Sequence, residues 1–257
     1  MFFIPMTINN RIPLSLQAAF SQANCLKIIS GLQNFDPTSV GMVVKAAGMG
    51  GANYVDIAAN ADLVAIAKQA SNLPVCVSGV EPETLAKAVA WGADLVEIGN
   101  YDSFYGDGQE FSASEVIDLT LKTRALIGEQ VALAVTVPHT LPLDLQVSLA
   151  ERLVEVGADL IQTEGGTSAA PDHSGVLGVI EKAAPTLAAA YQISRAVSVP
   201  VICASGLTNV TVPLAIAAGA KAVGVGSAVN KLNDLLAMVA VVKGLRQALD
   251  AKVGITV

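Results

Sequence analysis

Lys27 stands between Leu26 and Ile28 in the apolar run from Cys25 to Ile29, a setting that a lysine does not enter without partners. If the flanking apolar side chains face helices, its ammonium points the other way, into a closed interior. A phrase that occurs four times aims further polar groups at the same interior. Its copies are Gly51-Ala52-Asn53-Tyr54-Val55-Asp56-Ile57-Ala58, Gly92-Ala93-Asp94-Leu95-Val96-Glu97-Ile98-Gly99, Gly157-Ala158-Asp159-Leu160-Ile161-Gln162-Thr163-Glu164 and Gly219-Ala220-Lys221-Ala222-Val223-Gly224-Val225-Gly226. With the Val and Ile positions packed outward, Asp56, Glu97, Gln162 and Gly224 share one inward level, and Ala58, Gly99, Glu164 and Gly226 lie nearer the open end. A lysine beside two carboxylates can act as proton-transfer group, electrophile or Schiff-base amine, with Asp56 or Glu97 as acid and base. Pairing raises the lysine pKa and leaves little free amine, which argues against the Schiff base. Read without function, the same cluster is a buried ion network that fixes packing.

A second set of candidates gathers at the ends of the repeated phrases. Glu164 closes the third copy and leads into Gly165-Gly166-Thr167-Ser168. The only histidines are His139, in Thr136-Val137-Pro138-His139-Thr140, and His173. A lone histidine is more often a hydrogen-bonded structural residue than a catalyst. His139 nonetheless joins Lys27, Asp56, Glu97 and Glu164 as a catalytic candidate, while Thr136, Gln162, Gly165, Gly166, Thr167, Ser168 and His173 are candidates for substrate contact or a lid. Ala204-Ser205-Gly206-Leu207 and Val223-Gly224-Val225-Gly226-Ser227-Ala228 bring small residues to two strand ends, where backbone N–H groups can hold phosphate. Ser205, Gly206, Gly224, Gly226 and Ser227 are the phosphate candidates. Neither loop contains Arg or Lys, so no fixed cation is expected beside the anion, and Leu207 replaces a second Gly that many phosphate loops carry.

Four helix-stop-strand copies in 257 residues require an α/β fold of the (β/α)8 TIM barrel class. Apolar β-branched runs place the strands at Cys25 to Ile29, Tyr54 to Ala58, Val75 to Ser78, Leu95 to Gly99, Val131 to Val137, Leu160 to Glu164, Val201 to Ala204 and Ala222 to Gly226. Helical patterns fall at Val40 to Ala47, Glu83 to Ala90, Ala113 to Ile127, Leu145 to Val156 and Thr186 to Ala196. Residues 1–24 form an extension with a short helix from Leu14 to Asn24, placed to plug the N-terminal face, and 25–257 form one barrel domain. Two connections exceed the usual two to six residues: Asn100 to Ser112, with Tyr101, Phe104 and Tyr105 read as loop packing, and Gly165 to about Ala184, with Thr167, Ser168, His173 and Lys182. The second is expected to include a mobile lid that carries Thr167, Ser168 and His173 over the pocket.

Hydrophobic residues make up 53% of the chain, in keeping with a sheet buried on both faces. The longest uncharged stretch, Ala196 to Ala220, is interrupted by Pro200, Gly206 and Pro213 and reads as strand, loop and helix, not as a membrane span. A net charge of −7 disfavours nucleic acid and anionic membrane as partners. Met1 to Met6 lacks the basic start of a secretory signal. Cys25, Cys76 and Cys203 have no paired spacing and are expected to be packed thiols, with no metal site among the expectations.

With Lys27-Ile28-Ile29-Ser30-Gly31-Leu32, Val135-Thr136-Val137-Pro138-His139-Thr140-Leu141, Glu181-Lys182-Ala183-Ala184-Pro185-Thr186-Leu187-Ala188-Ala189-Ala190-Tyr191 and Val225-Gly226-Ser227-Ala228-Val229-Asn230 in view, the chain resembles the hypothetical chloroplast open reading frame twenty-three family of cyanobacteria and algal plastids. The likeness runs from about Lys27 to Ala248. It implies an aldolase-type barrel and a photosynthetic lineage, hence the cytoplasm of a cyanobacterium or the stroma of a plastid, and it carries no reaction with it. The residues themselves favour an enzyme that binds a small phosphorylated metabolite and acts by acid–base chemistry, as a lyase, isomerase or synthase. Two alternatives use the same loops: a barrel that binds flavin mononucleotide (FMN), and a non-catalytic metabolite-binding or sensor protein. No cofactor is required by the sequence, and a homo-oligomer is compatible with it.

Overall fold

The computed structural model describes residues 6, 8–165 and 169–251. Eight parallel strands close in sequence order into a barrel: β1 Cys25–Gly31, β2 Tyr54–Ala58, β3 Val75–Gly79, β4 Leu95–Ile98, β5 Ala132–Thr136, β6 Leu160–Gln162, β7 Val201–Ala204 and β8 Ala222–Val225. β1 pairs with β2 on one side and β8 on the other, with Lys27 opposite Tyr54 and Gly224. The helices are α1 Leu14–Ser21, α2 Pro37–Gly50, α3 Ala61–Ala70, α4 Pro82–Ala90, α5 Asp102–Tyr105, α6 Ala113–Ile127, α7 Leu143–Glu155, α8 Gly175–Ala196, α9 Val212–Ala217, α10 Ser227–Asn230 and α11 Leu235–Asp250.

The repeated phrase works as its residues suggest. Gly51, Gly92, Gly157 and Gly219 adopt φ of +87°, +102°, +109° and +108°, a left-handed conformation that stops each preceding helix and that a side chain would strain. Helix starts are fixed by side chains that accept otherwise unpaired backbone donors. Asp36 accepts from Thr38, Asn60 from Asp62 and Leu63, and Ser112 forms a reciprocal capping box with Glu115.

Alternation along the strands produces two cores. Leu26, Ile28, Val55, Ile57, Val96, Ile98, Leu133, Val135, Ile161, Val223 and Val225 face the helices. Cys25, Tyr54, Cys76, Leu95, Ala132, Leu160, Ile202 and Ala222 fill the lower barrel, where Ile12, Leu16, Ala19 and Phe20 close its N-terminal end. The plug, α1, is shorter than the Leu14 to Asn24 reading because Ala23 turns out at φ +53°. Arg11 ties this segment to Asp159, whose buried carboxylate also pairs with Arg124 at 2.5 Å.

The connection after β6 departs from expectation. Helix α8 begins at Gly175, nine residues before the expected loop ends, and runs through Pro185. Pro185 and the glycines misled the sequence reading because interior proline usually ends a helix. Gly178 is required where it stands: a Cβ there would lie 1.9 Å from the His173 carbonyl oxygen. Helix α8 therefore occupies the stretch from Gly175 onward, and the connection before it is shorter than expected. Gly166, Thr167 and Ser168 lie outside the described residues.

Candidate active site at the barrel mouth

Lys27, Asp56, Glu97 and Gln162 meet inside the barrel, each buried. Lys27 Nζ lies 2.5 Å from Glu97 Oε2, donates to Gln162 Oε1 at 3.0 Å and stands 4.0 Å from Asp56 Oδ2. Gln162 Nε2 donates to Glu97 Oε1 at 2.7 Å and to Thr136 Oγ1 at 3.2 Å, and Ser78 donates to Asp56. Gly224 makes room for this packing. A Cβ on it would come within 2.9 Å of the Ala204 Cβ, 3.0 Å of Ile29 Cδ1 and 3.5 Å of Gln162 Oε1.

One cation thus faces two carboxylates away from water. Burial opposes the lysine charge, but Asp56 and Glu97 outweigh it and hold Lys27 above the ordinary lysine range. Burial pushes Glu97 up to about 7 despite Lys27, and it also raises Asp56. A carboxyl raised in the folded state binds a proton that the unfolded chain has released, so its stabilising effect is complete below the unfolded value and is lost as pH rises through the folded one. For Glu97 the window runs from its ordinary 4.5 to about 7. Stability is expected to fall across this window by on the order of 3 kcal/mol more in the native protein than in Glu97→Gln, and chemical denaturation at pH 5 and pH 8 measures the difference.

Above this layer, at the C-terminal ends of the strands, opens a cavity of about 470 Å³. Ser205, Gly206, Leu207, Gly226, Ser227 and Asn230 line it together with Ile29, Asn100, Asp102, Gln162, Thr163 and Glu164. Lys27, Asp56, Glu97, Thr136 and Gly224 are not on its wall; they lie beneath it, and Gln162 links the two levels. Gly224 is accordingly a packing position one layer below the phosphate loops. Lys182 from α8 and Lys231 just after α10 also line the cavity. This corrects the expectation of no fixed cation: neither lysine belongs to the two short loops, but both line the cavity that those loops border.

The loop ends have distinctive backbones. Ser205 and Gly206 both have positive φ, +76° and +72°, and Ser205 Oγ donates to Asp102 Oδ2 at 2.8 Å. Asn230 Nδ2 donates to the carbonyls of Ile29 at 2.8 Å and Ser30 at 3.0 Å, which fixes the end of β8 against β1.

Glu164, also on the cavity wall, is 3% exposed. Its Oε1 accepts from the Tyr105 hydroxyl and from the His139 backbone N–H at 3.1 Å, and lies 3.1 Å from His139 Nδ1. Asp102 Oδ1 is 3.6 Å from the same imidazole nitrogen. The Tyr105 ring meets the His139 ring edge-on, centroids 4.9 Å apart. Burial raises the Glu164 pKa and Asp102 adds to it against the opposing His139 hydrogen bond. Burial would lower His139, but Glu164 and Asp102 raise it further. Glu164 and His139 thus each hold a proton to higher pH than in water, as shifted groups of a proton-transfer pair do. Asp102, His139 and Glu164 also offer three ligand atoms within 4.8 Å of one another.

His173 is exposed and bonded to Glu181 at 2.6 Å, off the cavity wall. Asp102, Tyr105, Lys182, Asn230 and Lys231 are the contributors that sequence reasoning did not select. The unusual length of the Asn100 to Ser112 connection was the available signal for Asp102 and Tyr105.

Fold and site define a (β/α)8 barrel with a polar, charge-lined cavity at the face where barrel enzymes work. Over residues 8–254 the chain matches, and belongs to, the family described as "Protein of unknown function (DUF561)". It is 43% identical over 237 residues to the "Uncharacterized protein ycf23" of Cyanophora paradoxa, covering 90% of this chain and 93% of that one. Among solved structures it is similar to the (S)-3-O-geranylgeranylglyceryl phosphate synthase of Thermoplasma acidophilum, at TM-score 0.63 and 13% identity over 91% of this chain and 97% of that one. It is also similar to a 3-hexulose-6-phosphate synthase, at TM-score 0.60 and 18% identity over 87% and 99%. These likenesses establish the aldolase-type barrel fold. No helix among the described residues is long and apolar enough to cross a membrane.

Proposed function

We propose that the protein is an enzyme that binds a small phosphorylated metabolite in the mouth cavity and acts on it by acid–base chemistry, as a lyase, isomerase or synthase. The observation that carries this reading is the polarity of one cavity. Small residues at the ends of β7 and β8, two lysines and the buried Glu164 line one cavity, and His139 stands behind Glu164 at 3.1 Å. Backbone N–H groups of Ser205-Gly206 and Gly226-Ser227 hold the phosphate, while Lys182 and Lys231 supply charge. Glu164, which lines the cavity, exchanges protons with the ligand, while His139 behind it and Tyr105 position its carboxyl group. Lys27 and Glu97 act from below by fixing the Gln162 amide on the cavity wall, a positioning role that leaves no Schiff-base step to the lysine. The phosphorylated small-molecule specificities in the names of the two similar synthases support this substrate class.

The lysines give a direct test. Lys182→Ala and Lys231→Ala are each expected to weaken binding of a small sugar phosphate about tenfold and to reduce its salt dependence, while binding of the dephosphorylated sugar stays equally weak. Titration calorimetry at two salt concentrations reads both effects. Equal affinity for sugar and sugar phosphate contradicts the proposal, and flavin absorbance in the purified protein would assign the phosphate loops to FMN instead.

A further inference from the structure

We propose that Asp102, His139 and Glu164 bind a divalent transition-metal cation, of the Zn²⁺ or Mn²⁺ kind, at the mouth of the barrel. This inference leaves the phosphate subsite as proposed but competes with the proton-transfer role of Glu164 and its His139 partner, because an ion takes the lone pairs that would carry the proton. Three separate segments converge here: Asp102 opens α5, His139 follows β5 and Glu164 follows β6. Ligand atoms held about 2.1 Å from one cation stand roughly 3.0 to 3.5 Å from one another in octahedral or tetrahedral arrangements. The imidazole Nδ1 lies 3.1 Å from Glu164 Oε1 and 3.6 Å from Asp102 Oδ1, so little movement is needed to enclose an ion.

A second observation points to the same ligand. Glu164, 3% exposed, leaves Oε2 buried with no hydrogen-bond partner among the described residues, and Asp102 leaves Oδ1 in the same condition. Buried acceptors without donors are costly, and a cation shared between them removes that cost. Two carboxylates and a neutral imidazole match a doubly charged ion. The imidazole nitrogen favours Zn²⁺ over Mg²⁺ and Ca²⁺, the two carboxylates suit Mn²⁺, and the lack of thiolate argues against soft ions. The Tyr105 hydroxyl and the His139 backbone N–H hold Glu164 Oε1 from outside, the kind of support that orients a metal-binding carboxylate. Asp102 and Glu164 both line the cavity, so the ion's remaining positions face a bound ligand.

The test is calorimetric titration of Zn²⁺ and, separately, Mn²⁺ into full-length protein stripped with a chelator. Expected is one site of about micromolar Kd or tighter, weakened about 100-fold or more in Glu164→Gln and in Asp102→Asn, with a metal-dependent rise in Tm lost in both. Tyr105→Phe, which touches only the supporting hydrogen bond, is expected to weaken binding less than either. No binding of either ion tighter than millimolar, or undiminished binding in both folded variants, overturns the proposal. If neither variant folds, magnetic resonance of Mn²⁺-loaded native protein decides: nitrogen coupling from one imidazole supports the site, and an all-oxygen shell overturns it.

Discussion

Lys27→Met is expected to destabilise the protein by about 3–5 kcal/mol near neutral pH, a large part of the roughly 5–15 kcal/mol that holds a domain folded. The substitution keeps the bulk of the side chain, but it leaves Asp56 and Glu97 in the barrel with no cation. It also removes the donor that holds Gln162 Oε1. The penalty should shrink in acid, because both carboxyls can then take up protons and enter the layer uncharged. It should also shrink when Glu97→Gln is added, since the double variant buries one carboxylate in place of two. Denaturant unfolding of the single and double variants at pH 5 and pH 8 measures all of this. A loss below about 1 kcal/mol at pH 8, or one that does not vary with pH, would show that the cluster is not a charge-balanced unit.

The second large effect is on ligand binding. Gly226→Asp is expected to abolish binding of small sugar phosphates, a loss of on the order of 10²-fold or more, while the barrel stays folded. Gly226 has a negative φ, −112°, and a Cβ there would meet the Ile29 carbonyl oxygen at 3.3 Å, a contact relieved by a shift of a few tenths of an ångström. The new carboxylate would enter the cavity where the phosphate is proposed to sit, and like charges repel strongly there. Gly226→Ala separates bulk from charge, since it should cost much less than the aspartate. Calorimetric titration of both variants reads the outcome, and equal affinities for the native protein and a folded Gly226→Asp would place the anion elsewhere.

Much of the barrel was legible because one phrase recurs with its glycine at each helix end and its polar residue at each inward position. The alternation that sends Val55 and Ile57 outward leaves Asp56 only the interior, and the same holds for Glu97 and Gln162. Relative level was legible too, since Gly224 lies off the cavity wall and Gly226 on it, but the depth at which ligand contact stops was not: Thr136 and Gly224 are candidates for such contact by residue type, and neither lines the cavity. Lys182 and Lys231 reach the site through helices, where sequence distance from a strand end says little about proximity in space. Helix α8 extends beyond the Thr186 to Ala196 pattern because it runs through Pro185, a residue type that usually ends a helix, and it carries Lys182 to the cavity.

The most direct test of the central claim, that the mouth cavity holds a phosphorylated small molecule, is equilibrium dialysis of the native protein against a cell metabolite extract, with the retained compounds identified by mass spectrometry. The account predicts enrichment of one or a few small phosphate esters, which alkaline phosphatase treatment of the extract abolishes. Enrichment of compounds without phosphate, or enrichment that phosphatase treatment leaves unchanged, would contradict it.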